Sequence, residues 1–128
     1  MAAASEARDG LLSHDWLGAC RRAADGLVTV LAEHPTSRER VTETGDRGKG
    51  GDRTLVIDAA AEDAVFAELR ALHEAGARFT AVSEERGIVD FGDPGVLVVI
   101  DPIDGSLNAK RGLTHHALSI AVAEGPTM

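Results

Sequence analysis

Tyrosine is absent from this 128-residue chain, and Trp and Phe together supply only four residues. A core must therefore be built mainly from Ala, Val, Leu and Ile, which the 44% hydrophobic content allows. Cysteine is almost absent too. The single Cys20 excludes an intramolecular disulfide and fits a reducing compartment. Its place in a helical pattern makes it a small buried hydrophobe. No apolar run is long enough to span a bilayer. Met1-Ala2-Ala3-Ala4-Ser5-Glu6 has neither the basic nor the apolar region of a secretory signal, so a soluble cytoplasmic protein is expected. Basic residues are scarce: 13 against 21 acidic, for a net charge of −8. Such a chain is a poor nonspecific binder of nucleic acid or of an anionic membrane. An anionic substrate would need a local offset, which a bound cation supplies.

Three common motifs are lacking as well. With Gly105 as the sixth position of an EF-hand loop, the first and third would be Ile100 and Pro102, which cannot serve as side-chain ligands. Gly48-Lys49 is followed by Gly50 rather than Ser or Thr and has no earlier glycine, so it is no P-loop. No Cys/His spacing suits zinc. The adjacent His115 and His116 would point to opposite faces of a strand, a poor arrangement for joint ligation.

What is present divides into elements. Residues 1–12 read as a lead-in, and residues 13–128 as one domain portion. Trp16, Leu17, Cys20, Ala23, Ala24, Leu27, Val28 and Leu31 recur at three and four residues, predicting a helix capped by Ser13 and stopped by Pro35. Gly26 should weaken it locally. Residues 35–53 are polar and glycine-rich and predict a loop. Thr54–Ile57 predicts a short strand, with Asp58 as the cap of a second helix. Val65, Phe66, Leu69 and Leu72 stripe that helix, and Gly76 ends it. Arg78–Val82, Val96–Ile100 and Ala117–Ala123 predict three more strands, with a short helix opening at Gly105 or Ser106. Helices covering one face of a sheet leave room for further strands or another layer. The chain is therefore expected to be the N-terminal portion of a larger fold.

The chemistry concentrates after the apolar run Val96–Ile100, in Asp101-Pro102-Ile103-Asp104-Gly105-Ser106. Two carboxylates three apart are hard oxygen ligands of the kind Mg²⁺ prefers. Pro102 stiffens the turn, and Gly105 permits close backbone approach. The N–H groups of Gly105 and Ser106 at a helix start suit a phosphate. Asp58 and Glu84 stand at other element boundaries, where distant parts of a chain converge. Taken singly, Asp104-Gly105 is an ordinary turn pair, Asp58 a helix cap and Glu84-Glu85 a solvated pair. The combination after a fully apolar strand is more specific than any of its parts.

These residues resemble the inositol monophosphatase family, the lithium-sensitive, Mg²⁺-dependent sugar-phosphate phosphatases. Asp101 to Asn108 is similar to the family's D-P-[IL]-D-G-[ST]-x-N motif. Val82-Ser83-Glu84-Glu85 is similar to its upstream glutamate motif, and Thr54 to Asp58 to its Thr-x-x-x-Asp step. The spacing resembles the archaeal-type inositol monophosphatase/fructose-1,6-bisphosphatase branch. The resemblance implies the N-terminal part of a layered α-β-α-β-α fold, mixed α and β, with two helices packed on a largely antiparallel sheet.

It also implies roles. Glu84, Asp101, the Ile103 carbonyl and Asp104 would hold Mg²⁺, with Asp101 and Asp104 helping to hold a second ion. Asp58 would bind a water or a weaker third ion. Ser106 with Glu84 would orient the attacking water. Asp104, Gly105 and Ser106 would contact the substrate, and Glu85 is a weaker candidate. The 35–53 segment, with Lys49 and Asp52, would lie near the site, Li⁺ would be an inhibitor, and a homodimer is implied. Ser106, Ala109 and Thr114 stand where Thr, Phe and Pro are common. The family's further Trp-Asp motif, which completes the second metal site, has no counterpart here. The expected function is metal-activated hydrolysis of a small sugar or polyol phosphate, with no nucleic acid or membrane partner. The alternatives are a non-catalytic metal- or phosphate-binding fragment and a 3′-phosphoadenosine phosphatase.

Overall fold

The computed structural model describes residues 13–33, 43–47, 53–104 and 117–125. The first helix, α1, spans Trp16–Glu33. Asp15, not Ser13, caps it: the Asp15 Oδ1 accepts from the Gly18 N–H at 2.9 Å. An aspartate at this position satisfies one of the orphan amides of the first turn. The buried face of α1 is narrower than the sequence stripe. Ala19, Ala23, Leu27 and Val30 are buried, while Leu17 and Val28, 62% and 66% exposed, lie to one side. A step of one residue turns a side chain about 100° round the helix, and the core contacts only one face. Cys20 is half-buried rather than buried, and burial pushes its thiol pKa up.

Within the expected loop at 35–53, residues 43–47 form a strand instead, β1 (Glu43–Arg47), which pairs antiparallel, with a register irregularity, with β2 (Arg53–Leu55). The expected strand Thr54–Ile57 ends at Leu55, because Val56 already starts the second helix, α2 (Val56–Glu74). Asp58 is therefore inside the first turn of α2 rather than its cap. A carboxylate there still favours the positive end of the helix dipole.

The C-terminus of α2 is as expected. Gly76 takes φ 113°. The Ala77 N–H reaches the Leu72 carbonyl and the Gly76 N–H the His73 carbonyl, both at 3.0 Å. This closure satisfies two of the last carbonyls and favours glycine. The two helices pack on each other, and a Cβ built on Gly26 would lie 3.2 Å from the Ala64 Cβ. Gly26 thus costs helix propensity but permits a close crossing.

The sheet is built from β3 (Phe79–Ser83), β4 (Gly87–Asp104) and β5 (Ala117–Glu124). The expected Val96–Ile100 strand is only the middle of β4, which pairs with β3 twice. Residues 87–90 run antiparallel to it, with Ser83 opposite Gly87 and Thr80 opposite Asp90. Residues 97–100 run parallel, with Thr80 opposite Leu97 and Ser83 opposite Ile100. β3 is therefore the centre, flanked by the two halves of β4. Between the halves, Gly92 takes φ 108°, and the Thr80 hydroxyl donates to the Asp93 carbonyl at 3.0 Å. β5 pairs antiparallel with the second half of β4, from Val96 opposite Glu124 to Asp104 opposite Ala117. The sheet is largely antiparallel, with the two helices on it.

Two apolar clusters lie between helices and sheet. The larger gathers Ala19, Ala23, Phe66, Leu69, Phe79, Phe91 and Val98 with their neighbours. The smaller unites Leu27, Val30, Ile57, Ala61 and Ile103. Complete burial of side chains such as Phe66 and Phe79 is worth roughly 1.5–3 kcal/mol each relative to exposure. Among the described residues no helix is long and apolar enough to cross a membrane.

Candidate active site

The parallel pairing decides where the acidic residues meet. Ser83 and Ile100 are Cα partners on neighbouring parallel strands, so Glu84 and Asp101 follow at the same edge. Both are exposed, whereas Ser83 and Ile100 are buried. The carboxyl ends of parallel strands are a recurrent place for ligand sites, because loops from separate strands gather there.

A bulge then shapes the end of β4. Asp101 pairs with Ser119 and Asp104 with Ala117, so three steps on β4 match two on β5. One extra residue in β4 puts positions 101 and 104 on the same face of the sheet, although a regular strand would place them on opposite faces. The bulge also breaks the burial alternation. Pro102 and Ile103 are both buried after the exposed Asp101. The Ile103 side chain is 5% exposed and belongs to the cluster with Ile57 and Ala61. Any ligand role for Ile103 therefore falls to its carbonyl. Through that cluster the start of α2, with the half-buried Asp58, is tied to the end of β4.

The turn after β3 is gripped by a residue that the sequence reading passed over. Glu62 of α2 is 1% exposed. Its Oε1 accepts from the Ser83 hydroxyl at 2.7 Å and its Oε2 from the Glu85 N–H at 3.0 Å. The Ser83 Oγ in turn accepts from the Arg86 N–H at 3.2 Å. The Arg86 Nε lies 3.8 Å from the Glu62 Oε1, its Nη2 donates to Asp63, and its guanidinium carbon stands 4.3 Å over the Phe66 ring centre. Burial pushes the Glu62 carboxyl above the usual carboxylate range. The Ser83 and Glu85 hydrogen bonds pull the other way, the Glu85 charge raises it further, and the Arg86 charge lowers it. Among the described residues no buried side-chain nitrogen or oxygen lacks a partner. One signal for Glu62 stood in the sequence: it lies three and four residues before Val65 and Phe66, on the apolar stripe of α2.

The fold thus brings together the edge positions of Glu84, Asp101 and Asp104 and links Asp58 to them through the apolar cluster that Ile57 and Ile103 share. Gly105, Ser106, Lys49, Asp52 and the histidine pair lie outside the described residues. Among the described residues no three Asp, Glu, His or Cys side chains form a metal-holding group. The donor set expected here is all oxygen, drawn from carboxylates and one carbonyl, and this chemistry fits Mg²⁺ rather than a softer ion.

Comparison with known proteins gives this edge a context. The chain is 39% identical over 106 residues to the fructose-1,6-bisphosphatase/inositol-1-monophosphatase of Archaeoglobus fulgidus, covering 83% of this chain and 38% of that protein. It is 32% identical over 109 residues to the Nus factor SuhB of Escherichia coli, covering 85% of this chain and 39% of that protein. A crystal structure described as an inositol monophosphatase–fructose 1,6-bisphosphatase superposes with a TM-score of 0.70 at 26% identity, over 86% of this chain and 41% of the other. The Thermotoga maritima IMPase superposes with a TM-score of 0.52 at 28% identity, over 77% and 35% of the two chains. The chain spans about 38% to 39% of the length of the curated relatives first matched. The inositol monophosphatase family matches residues 14–128, and with the archaeal relatives this shows that the chain belongs to the inositol monophosphatase family.

Proposed function

We propose that this chain carries one side of the active site of a Mg²⁺-dependent phosphomonoesterase for a small sugar or polyol phosphate. Inositol monophosphate and fructose 1,6-bisphosphate are the first substrates to test, because archaeal relatives carry both activities in their names. One observation carries the reading: the turn after β3 and the bulged end of β4 meet at one edge, through the Ser83–Ile100 pairing.

Glu84, Asp101, the Ile103 carbonyl and Asp104 would hold the metal in this proposal, with Asp58 nearby on the first turn of α2. A bound Mg²⁺ at such a site lowers the pKa of a coordinated water and stabilises the oxygen that leaves phosphorus. Glu84 and Ser106 would orient the attacking water. Asp104, with the N–H groups of Gly105 and Ser106, would bind the ester and its phosphate. The carboxylates and the net charge of −8 would repel an anionic ester, so binding of substrate should depend on the cation. The same reading makes the protein a cytoplasmic homodimer, inhibited by Li⁺, that acts on a small molecule without nucleic acid or membrane.

Other relatives are named for a Nus factor, so family membership alone does not fix the activity. Phosphate release does. Inositol 1-phosphate and fructose 1,6-bisphosphate are offered to the intact protein with Mg²⁺, beside Asp104→Asn. Wild-type release that is lost in the variant is the expected result. Equal release by both overturns the proposal.

A further inference from the structure

We infer that Glu62 is a positioning residue of the acidic edge, fixing Glu84 beside Asp101 by holding both of its chain neighbours. The inference rests on the metal-site reading above. Glu84 stands between Ser83 and Glu85, and Glu62 bonds to each: to the Ser83 hydroxyl at 2.7 Å and to the Glu85 N–H at 3.0 Å. Two acceptors on one rigid carboxylate set two points of a three-residue turn. The third anchor is internal, where the Arg86 N–H bonds to the same Ser83 hydroxyl. Glu84 thus lies in a turn whose path the Glu62 carboxylate fixes from below.

The anchor itself is held. Glu62 is 1% exposed, on the helix face that carries Val65 and Phe66. Arg86 supplies a cation 3.8 Å away. Glu62 also lies one helical turn beyond Asp58, so α2 places a candidate ligand and the clamp of another on consecutive turns. A buried acid with a purely structural task needs only satisfied oxygens. Here both partners flank the residue assigned to the ion. Each of the two bonds uses a different oxygen of Glu62; an amide of the same shape has one acceptor oxygen and turns an NH2 donor toward the other partner.

The test uses the intact protein and two variants that each remove part of the grip, Glu62→Gln and Ser83→Ala, with Glu68→Gln on the same helix as control. Three measurements are made: melting by circular dichroism, amide hydrogen exchange across residues 83–87, and the Kd for Mg²⁺ by calorimetry. Both variants should fold, exchange faster at Glu85 and Arg86, and bind Mg²⁺ roughly tenfold more weakly, a loss typical of residues that orient a metal ligand. Glu68→Gln should change neither exchange at the turn nor affinity. If Glu62→Gln does not fold, Ser83→Ala decides. Wild-type affinity in the folded variants, with binding impaired in Asp101→Asn, overturns the positioning role alone. Mg²⁺ binding that is absent, or indifferent to Asp101→Asn, overturns the metal-site reading and this role with it.

Discussion

The two ends of β3 are only a few residues apart and obey different physics. At its start, Phe79 is fully buried, with its ring 4.8 Å from Phe91 and 5.4 Å from Trp16. Three of the four aromatic residues other than histidine meet there, and Phe66 stands 6.4 Å from Phe91. At its end, Ser83 is buried against a carboxylate, and the next residue is exposed. The aromatic end is held by area, which tolerates adjustment as long as volume is filled. The acidic end is held by directed hydrogen bonds, which fail one partner at a time. Changes at the first end should therefore appear as lost stability, and changes at the second as lost binding in a folded protein.

The largest effect expected is at the aromatic end. Phe79→Ala should destabilise by about 3–5 kcal/mol, since it removes a fully buried ring. Urea unfolding measures this, and a cost below about 1 kcal/mol would break the contrast. At the acidic end, Asp101→Asn should reduce Mg²⁺-dependent phosphate release by roughly 100-fold or more. Its melting temperature should barely move, because Asp101 is exposed. A large fall in melting temperature would make Asp101 a structural residue.

Away from both ends, Asp15→Ala should cost about 1 kcal/mol through the lost cap of α1, again by urea unfolding. Phosphate release by the folded fraction should not change.

The finest test is a slope with pH. Burial raises the Glu62 carboxyl pKa on folding. A carboxyl raised in this way holds its proton more tightly when folded. The stability it contributes is fully present below its unfolded pKa and is lost as pH rises through the folded one. Glu62→Gln carries no such proton. The melting-temperature difference, wild type minus variant, should therefore move in favour of wild type as pH falls from neutral toward the ordinary carboxylate range. A flat difference would mean that Glu62 titrates alike in both states.

Much of the fold was legible because periodicity survives folding. The stripe Val65, Phe66, Leu69, Leu72 is the buried face of α2, and Gly76 closes it as expected. The run Val96–Ile100 is a strand in which Val96, Val98 and Ile100 are buried. Three readings failed for local reasons. Asp15 outcompeted Ser13 as cap because its carboxylate reaches the Gly18 amide. Glycines and charges between Pro35 and Arg53 signalled a loop and concealed β1, which pairs antiparallel with β2. Val56 and Ile57 have β-branched side chains that suggest a strand, yet Ile57 finds its burial from a helix, in the cluster that also holds Ile103.

Of the candidate site, the sequence by itself determined the residue types: a run of hard oxygen donors at the ends of apolar segments, suited to a cation by their chemistry. That much follows from composition and spacing, since neither depends on what lies across the sheet. Only the tertiary structure decided that residues 84 and 101 share an edge, because strand pairing joins positions 17 apart in the chain. It also decided that positions 101 and 104 share a face, through one extra residue opposite β5. And it decided that Glu62, a charge on an apolar stripe, holds the turn that carries Glu84. Register and burial are properties of pairs, and a single sequence lists only their members.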